Sequence, residues 1–272
     1  MKTITTHKLL LIALIILTTC NSNIEKNKSI FYIDNQENFD KYSGTEFPEG
    51  SKVLFANGVK FQGQFVIKGS GSEKNPNIVT SYNPANKKAL LEDTQNKTVI
   101  NGLGKVEAPI FLYNGQHWEI NNIEVTNTDG TINDQGKLKG IYVVTENAGI
   151  LNNVTIKNCY IHNVNGNIGG KWHGGIQIQV IGDSIKTKFH KLLIENNVIK
   201  DVGGVGIGNQ SSWRDIDKET YYPWTEFVIR GNFIERTGRN SIILRNAIDP
   251  LIEYNVAAAS SRYDTGHSIV NF

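Results

Sequence analysis

The chain has 272 residues, a formal net charge of +2 and 39% hydrophobic residues. It is too apolar for a disordered protein, and its balanced charge excludes a dedicated nucleic-acid-binding protein. Proline is scarce at 6 residues, whereas glycine reaches 26 and asparagine 32. Asparagine and glycine at these levels, among many β-branched residues, predict short strands joined by tight turns.

The amino terminus has the pattern of an export signal. Lys2 and Lys8 provide positive charge, and an unbroken apolar run follows at Leu9–Leu17. A run this short is typical of a signal peptide and too short to span a bilayer well. It ends in Leu17-Thr-Thr-Cys20, which resembles the lipobox of bacterial lipoproteins. A plain secretory signal is the alternative.

The lipobox resemblance implies that Cys20 carries lipid and becomes the first mature residue. Residues 1–20 are then the signal peptide, and the polar residues 21–29 are a tether to the bacterial cell envelope. Cys159 is left without a partner, so no intramolecular disulfide is expected. A large stacked core would have to stabilise such an exported protein.

The mature chain begins with elements that can close the end of a solenoid. Phe31–Asp34 predicts a strand, and residues 35–42 predict a short helix with Phe39 and Tyr42 facing inward. Such a helix would cover the open end of the first coil. Further strands are predicted over residues 51–55, 64–68 and 78–82.

A repeat runs through the rest of the chain. Five similar segments can be anchored on an isoleucine, and a shorter apolar segment follows each. The anchors, which recur at intervals of 23 to 38 residues, are Ile120, Ile156, Ile194, Ile229 and Ile252. Short strands in such a period predict the coils of a parallel β-helix with loops of variable length. No long stretch keeps apolar residues at helical spacing, which argues against a helical bundle.

Stacking of the coils would give each repeated position a physical role. Stacked coils place like residues over like, at about 4.8 Å. The anchors therefore predict apolar core columns. Cys159, Asn197, Asn232 and Asn255 each follow an anchor by three residues. The asparagines predict a hydrogen-bonded ladder, and Cys159 a buried, unreactive thiol.

Three motifs carry a family resemblance. Pro48-Glu-Gly-Ser-Lys-Val-Leu-Phe55, Gly69-Ser-Gly-Ser-Glu-Lys-Asn-Pro76 and Ile123-Glu-Val-Thr-Asn127, with the Asn-rich repeats, resemble the right-handed parallel β-helix proteins of the pectate-lyase-like superfamily. The resemblance covers residues 30–272 and implies a single all-β solenoid domain with a short amino-terminal capping helix. It does not fix the activity, because that superfamily includes polysaccharide lyases, glycoside hydrolases, epimerases and non-enzymatic adhesins.

The last segment, Ser268–Phe272, falls in the middle of a predicted strand. Members of the superfamily that this chain resembles continue through further coils beyond this point. We therefore expect a sequence truncated at its carboxyl end, with part of any active site outside it.

The shorter segments place candidate binding residues on one outer face. Strand alternation turns Ile176 and Ile178 inward and Gln177 and Gln179 outward, with Arg245 outward in a later coil. A flat polar strip of this kind suits an extended sugar chain, and a plain solvated sheet face is the alternative.

Four loops beside this strip contain aromatic, basic and acidic residues that could bind or cleave a sugar chain. We expect these loops to line up along one edge of the sheet. Aromatic rings stack on sugars, and polar or cationic groups bind hydroxyls or a carboxylate. The predicted substrate-binding residues are Gln177, Gln179, Trp213, Arg214, Tyr221, Arg239 and Arg262. The predicted catalytic residues are Lys171, His173, Asp215, Arg245 and Asp264. A structural or solvated role is the alternative for each.

Alternating acidic residues suggest a cation site. Asp215, Asp217 and Glu219 offer hard oxygen ligands of the kind that Ca²⁺ prefers, and a solvated acidic loop is the alternative.

Two reactions fit these residues. Elimination on a uronic-acid polymer needs a base and a group that neutralises the substrate carboxylate, whereas hydrolysis needs two carboxyl groups. Basic candidates outnumber acidic ones, so we expect a monomeric, lipid-anchored lyase acting on an acidic polysaccharide. A glycoside hydrolase on the same scaffold and a non-catalytic glycan-binding protein or inactive fragment are the alternatives. No nucleic-acid partner is expected.

Overall fold

The computed structural model describes residues 29–92, 94–131, 135–216, 219–261 and 270–271. Within these ranges the chain forms one short helix and 24 strands. The first elements are β1 (Ile30–Ile33), α1 (Gln36–Tyr42), β2 (Lys52–Ala56), β3 (Lys60–Gln62), β4 (Phe65–Ile67), β5 (Asn77–Asn83), β6 (Lys88–Ala89), β7 (Val99–Asn101), β8 (Ile110–Tyr113), β9 (Trp118–Asn121), β10 (Glu124–Asn127) and β11 (Lys139–Glu146). They are followed by β12 (Ile150–Lys157), β13 (Tyr160–Val164), β14 (Gly174–Ile181), β15 (Lys188–Glu195), β16 (Val198–Val202), β17 (Val205–Ser211), β18 (Trp224–Arg230), β19 (Phe233–Thr237), β20 (Ile242–Ile243), β21 (Ala247–Ile248), β22 (Leu251–Glu253), β23 (Val256–Ala258) and β24 (Val270–Asn271).

The strands form three sheets, and each coil contributes to all three. The first sheet runs β1-β2-β5-β9-β12-β15-β18-β21, with β22 also on β18. The second has β3, β7, β10, β13, β16, β19 and β23 in that spatial order, and the third has β4, β8, β11, β14, β17, β20 and β24. All pairings are parallel except that of β6 with β5. The fold is the predicted right-handed parallel β-helix.

The register confirms the predicted anchors. Ile156 pairs with Ile120 on one side and Ile194 on the other. Ile229 pairs with Ile194 and Ile252 in the same way. The first four anchors are fully buried, and burying such a side chain stabilises the fold by about 1.5–3 kcal/mol. The stacked isoleucines therefore form the continuous core that no single coil could make.

The predicted asparagine ladder is present at the bend between the first and second sheets. The Asn197 amide nitrogen donates to Asn232 Oδ1 at 3.0 Å, and that of Asn232 donates to Asn255 Oδ1 at 2.9 Å. Asn197 Oδ1 accepts from the backbone N–H of Cys159 at 3.0 Å. The ladder thus satisfies backbone groups that the bend removes from the sheets. Cys159 is buried and unpaired with another cysteine, as predicted.

The residue before each ladder position adopts a left-handed backbone. The φ values are +54° at Asn122, Asn158, Asn196 and Tyr254, and +66° at Gly231. Asparagine and glycine tolerate this conformation better than other residues. The bends of the coil are therefore one physical reason for the high asparagine content.

The amino-terminal helix closes the first coil, as predicted. Asn35 caps α1 by accepting the Asn38 backbone N–H at 2.9 Å. Phe39 packs against the rings of Phe55, Phe61 and Phe65, with centroids 5.2 to 6.2 Å apart. In the described part of the chain, no helix has both the length and the apolar character needed to cross a membrane.

Candidate functional site

The outer face of the third sheet carries a row of aromatic and amide side chains. The register aligns Phe111 with Tyr142, and aligns Tyr113 with Gln179 and Gln210 through the intervening strand β11. The sequence neighbours of Phe111, Tyr142 and Gln179 point to the opposite face and are buried isoleucine, leucine and valine residues, and those of Gln210 are the buried Asn209 and Ser211. We call these five outward residues, Phe111, Tyr113, Tyr142, Gln179 and Gln210, the polar strip.

Two long loops flank this sheet on opposite edges. Residues 165–173 precede β14, and residues 212–223 follow β17. The amino ends of parallel strands lie at one edge of a sheet and the carboxyl ends at the other. The prediction that these loops line up along one edge is therefore wrong. They lie on either side of the strip, so that the strip runs between them.

A hydrogen-bonded network fixes Tyr142, which is only 6% exposed, at the centre of the strip. Its hydroxyl donates to Gln179 Oε1 at 2.7 Å. The Lys139 ammonium lies 4.3 Å from the centre of its ring and 2.7 Å from Glu107 Oε1. Burial lowers the pKa of Lys139, with Glu107 acting in the opposite direction. Burial also raises the pKa of Tyr142, and the Glu107 charge adds to this effect. Tyr142 therefore keeps its proton as a hydrogen-bond donor.

Two further aromatic rings extend this surface. Phe111 meets Tyr142 edge to face, with centroids 5.2 Å apart, and lies parallel to Tyr113 at 6.5 Å. The Tyr113 hydroxyl donates to Glu146 Oε2 at 3.1 Å. Neighbouring ring faces of this kind can bind the apolar faces of successive sugar units.

The predicted basic residues converge at the other end of the strip. The Arg245 guanidinium lies 5.0 Å from the ring centre of Trp172, and Arg239 donates to the carbonyl of Gly169 in the same loop. The pKa of Lys171 is lowered by desolvation and by the charges of Arg239 and Arg245. The pKa of Arg245 is lowered by desolvation, Arg214 and Arg239. We call Lys171, Arg214, Arg239 and Arg245 the basic cluster.

Two predicted site residues lie beneath the surface. Gln177 has no exposed area and donates to the carbonyl of His173 at 3.2 Å. His173 is also buried, with Nε2 2.8 Å from the carbonyl oxygen of Asn167. Burial is the main cause of its lowered pKa. Both side chains hold the 165–173 loop against the sheet instead of facing a substrate, because that loop folds over them.

The 212–223 loop also differs from expectation. Trp213, predicted to be a sugar platform, is only 6% exposed and packs in the core. Arg214 and Asp215 are exposed, and Tyr221 is half-buried. In this loop, Arg214 is therefore the predicted binding residue that belongs to the basic cluster, since its charge acts on Arg245.

Several predicted residues cannot be placed. Cys20, Asp217, Arg262 and Asp264 lie outside the described residues. Where the structure is described, no group of three His, Cys, Asp or Glu side chains could hold a metal ion. Because Asp217 lies outside the described residues, the calcium site with Asp215 and Glu219 stays a prediction.

Tyr142 is not among the predicted site residues, although the sequence contains a signal for it. Residues 140–144 are the shorter segment that follows the first anchor, and residues 175–180 are the corresponding segment of the next coil. This alignment puts Tyr142 opposite Gln177, as the structure confirms. The repeat therefore places Tyr142 on the same outer face as the predicted glutamines.

Comparison with known proteins supports the fold. No family model matches the chain. It is 25% identical over 280 aligned positions to a lacto-N-biosidase of Bifidobacterium longum subsp. longum, an alignment that covers 79% of this chain. The structure is similar to the GH136 lacto-N-biosidase of Eubacterium ramulus, with TM-score 0.73, 18% identity and 88% of this chain covered. It is also similar to an alginate lyase of Paenibacillus sp. str. FPU-7, with TM-score 0.53, 16% identity, and 84% of this chain and 76% of that chain covered.

These relatives differ in length from the chain. It spans 18% of the length of the Bifidobacterium protein and 47% of the Eubacterium chain. The likeness to the solved structures confirms the parallel β-helix.

Proposed function

We propose that this chain is the β-helical part of an enzyme that cleaves a glycan bound along the polar strip. One observation carries the proposal. The half-buried rings of Phe111 and Tyr113 and two half-buried glutamines lie on one face between two loops, with the buried Tyr142 packed among them and the basic cluster at the end. Ring faces bind sugar C–H groups, and amides bind hydroxyls. The carbohydrate-active proteins on the same fold support this reading.

For the reaction we propose hydrolysis of a glycosidic bond. The sequence similarity to a lacto-N-biosidase, which extends over most of this chain, supports this choice. Hydrolysis requires two carboxyl groups. Glu107 is a half-exposed carboxylate beside the strip, held by the Lys139 ammonium. Asp215 and the predicted Asp264 are candidates for the second group.

A second candidate reaction is β-elimination on an acidic polysaccharide, and the basic cluster favours it. Arg239 and Arg245 could neutralise a uronate carboxylate. Lys171, whose pKa is lowered, could then accept the proton beside that carboxylate. The alginate lyase on the same fold supports this alternative.

One experiment separates the two reactions. The purified full chain is incubated with neutral and uronate-containing polysaccharides, and each digest is assayed for reducing ends and for ultraviolet absorbance by unsaturated uronates. Reducing ends without unsaturated product support hydrolysis, and both signals together support elimination. Tyr113→Ala removes a half-buried ring of the strip. If neither signal appears, and if Tyr113→Ala does not weaken glycan binding, the proposal that the strip binds substrate is overturned.

We also propose that the protein is anchored to the bacterial cell envelope through lipid on Cys20. The support is the sequence at the amino terminus, in which a charged segment, an apolar run and Leu17-Thr-Thr-Cys20 stand in order.

A further inference from the structure

A separate cavity lies away from the polar strip, at the bend between the first and second sheets. Its volume is 430 Å³, within the range of about 300–1,000 Å³ that is usual for small-ligand sites. Residues 94–97 form one wall, Asn158 and Asn196 lie at the bend, and Tyr160 stands at the start of β13. Because the strip is on the third sheet, a ligand in this cavity would not touch it.

The wall of the cavity is built into the fold. Asn122 Oδ1 accepts the backbone N–H of Thr94 at 3.2 Å, and the amide nitrogen of Asn122 donates to the carbonyl of Leu90 at 3.2 Å. Asn121 donates to the carbonyl of Leu91 at 2.7 Å. Asn121 and Asn122 are both fully buried. These side chains hold the wall in place before any ligand arrives, so binding needs little ordering of the protein.

One ring face of Tyr160 is available to the cavity. His162, two residues further along the strand, stacks on Tyr160 with centroids 4.1 Å apart and planes at 20°. His162 in turn lies 3.0 Å from Glu124 Oε1. Residues two apart on a strand share a face, so His162 covers the side of the ring toward the carboxyl end of β13. The opposite ring face turns back toward Asn158 and the cavity.

The polar groups of the cavity suit a neutral, hydroxyl-rich ligand. Asn158 and Asn196 supply amide donors and acceptors at the bend. The charged residues that line it have polar partners of their own: Glu124 Oε1 lies 3.0 Å from His162 Nε2, Lys200 pairs with Glu235 at 3.3 Å, and Lys97 donates to the carbonyl of Thr94 at 2.6 Å. A ring face, amides and a carboxylate edge form a combination that recognises a sugar ring.

We propose that this cavity is a second glycan-binding site, which holds one neutral hexose or N-acetylhexosamine unit stacked on Tyr160. It would keep a long glycan attached to the solenoid while the polar strip acts elsewhere on it. This site does not depend on the reaction at the strip, and a chain with no cleavage activity could still have it.

The test uses the full chain, with methyl β-galactoside and methyl N-acetyl-β-glucosaminide as probes in titrations followed by NMR. We expect at least one probe to bind, and Tyr160→Ala to weaken that binding by about tenfold. Tyr160→Phe, which keeps the ring, should retain it. Tyr254→Ala removes an exposed tyrosine outside both sites and is the matched control. Tyr142→Ala, in the polar strip, should leave this binding unchanged.

A second measurement does not depend on the alanine variant folding. Wild-type protein is prepared with isotope-labelled tyrosine rings. The resonance of Tyr160 is assigned as the one that disappears in Tyr160→Phe. The bound probe should shift this resonance. Absence of binding by both probes at millimolar concentration would overturn the proposal. So would binding that shifts Tyr142 and not Tyr160, or tighter binding of methyl galacturonate than of the galactoside.

Discussion

Buried asparagine side chains stabilise the bends of this solenoid, and Asn232 is the central example. Its Oδ1 accepts the backbone N–H of Asn197 at 3.0 Å, and its amide nitrogen donates to the carbonyl of Ile194 at 3.0 Å. We predict that Asn232→Ala lowers the free energy of unfolding by about 3 kcal/mol, because buried polar groups lose their partners. Urea unfolding followed by circular dichroism measures the change.

Asn86→Ala is the control for this prediction, since Asn86 lies in an exposed turn. It should change the stability by less than about 0.5 kcal/mol. If both variants lowered the free energy of unfolding by similar amounts, the ladder would not contribute more to stability than an exposed asparagine.

Tyr254 is the residue least suited to its position in the bend column. Its φ is +54°, in a column otherwise occupied by asparagine and glycine, and its side chain is 84% exposed. A left-handed backbone costs a residue without a short polar side chain about 1–2 kcal/mol. We predict that Tyr254→Asn raises the free energy of unfolding by about 1 kcal/mol, measured by urea unfolding. Tyr254→Phe keeps the strained left-handed backbone and should leave the free energy of unfolding unchanged. An increase for this variant would contradict the explanation by backbone strain.

At the scale of elements, the 165–173 loop depends on a buried neutral histidine. Desolvation lowers the pKa of His173, Lys139 and Lys137 act in the same direction, and the hydrogen bond to Asn167 opposes them. As the pH falls through the ordinary range for histidine, the unfolded chain takes up a proton that the folded loop does not. The stability that His173 provides is therefore complete above that range and is lost as the pH falls toward the depressed pKa.

We predict that acidification from about pH 7 to about pH 5 lowers the wild-type free energy of unfolding more than that of His173→Gln. Hydrogen exchange in residues 165–173, corrected for the intrinsic rate, should rise over the same interval. His190→Gln, which replaces a half-buried histidine on the first sheet, is the control for hydrogen exchange and should leave exchange in residues 165–173 as in the wild type. An unchanged slope in His173→Gln would rule out this role of the histidine.

The periodic elements could be predicted from the sequence, whereas the relation between loops and sheet faces could not. Stacking repeats the same chemical requirement in every coil. The spacing of the repeat therefore predicts which residues are in contact, as it does for Ile156 with Ile194 and for Asn197 with Asn232. Loops carry no such repetition. Strand alternation places Gln177 on the outer face, but the fold of the following coil and of the 165–173 loop decides that it is buried. The prediction for Trp213 is wrong for the same reason. Its sequence neighbours are polar, but they do not show that the loop turns the Trp213 ring into the core.

At the scale of the whole molecule, the solenoid separates stability from recognition. The isoleucine columns lie inside, while the polar strip lies on the outer face of the third sheet and the cavity beside Tyr160 opens at the bend between the first and second sheets. Residues on the outer faces can change without altering the register that stacks the coils. One glycan chain could therefore contact two sheets of the same rigid body.

The attachment of this body to a membrane is the remaining whole-molecule prediction. We expect Cys20→Ser to abolish incorporation of labelled fatty acid in a bacterial host and to move the protein from the membrane fraction to the soluble fraction, because the thiol is the proposed acylation site. The other cysteine provides the control. Burial raises the pKa of Cys159 to about 12, so its thiol stays protonated and unreactive. Cys159→Ser should keep the label and the membrane fractionation. Loss of label in Cys159→Ser, or retention of it in Cys20→Ser, would contradict the lipid anchor.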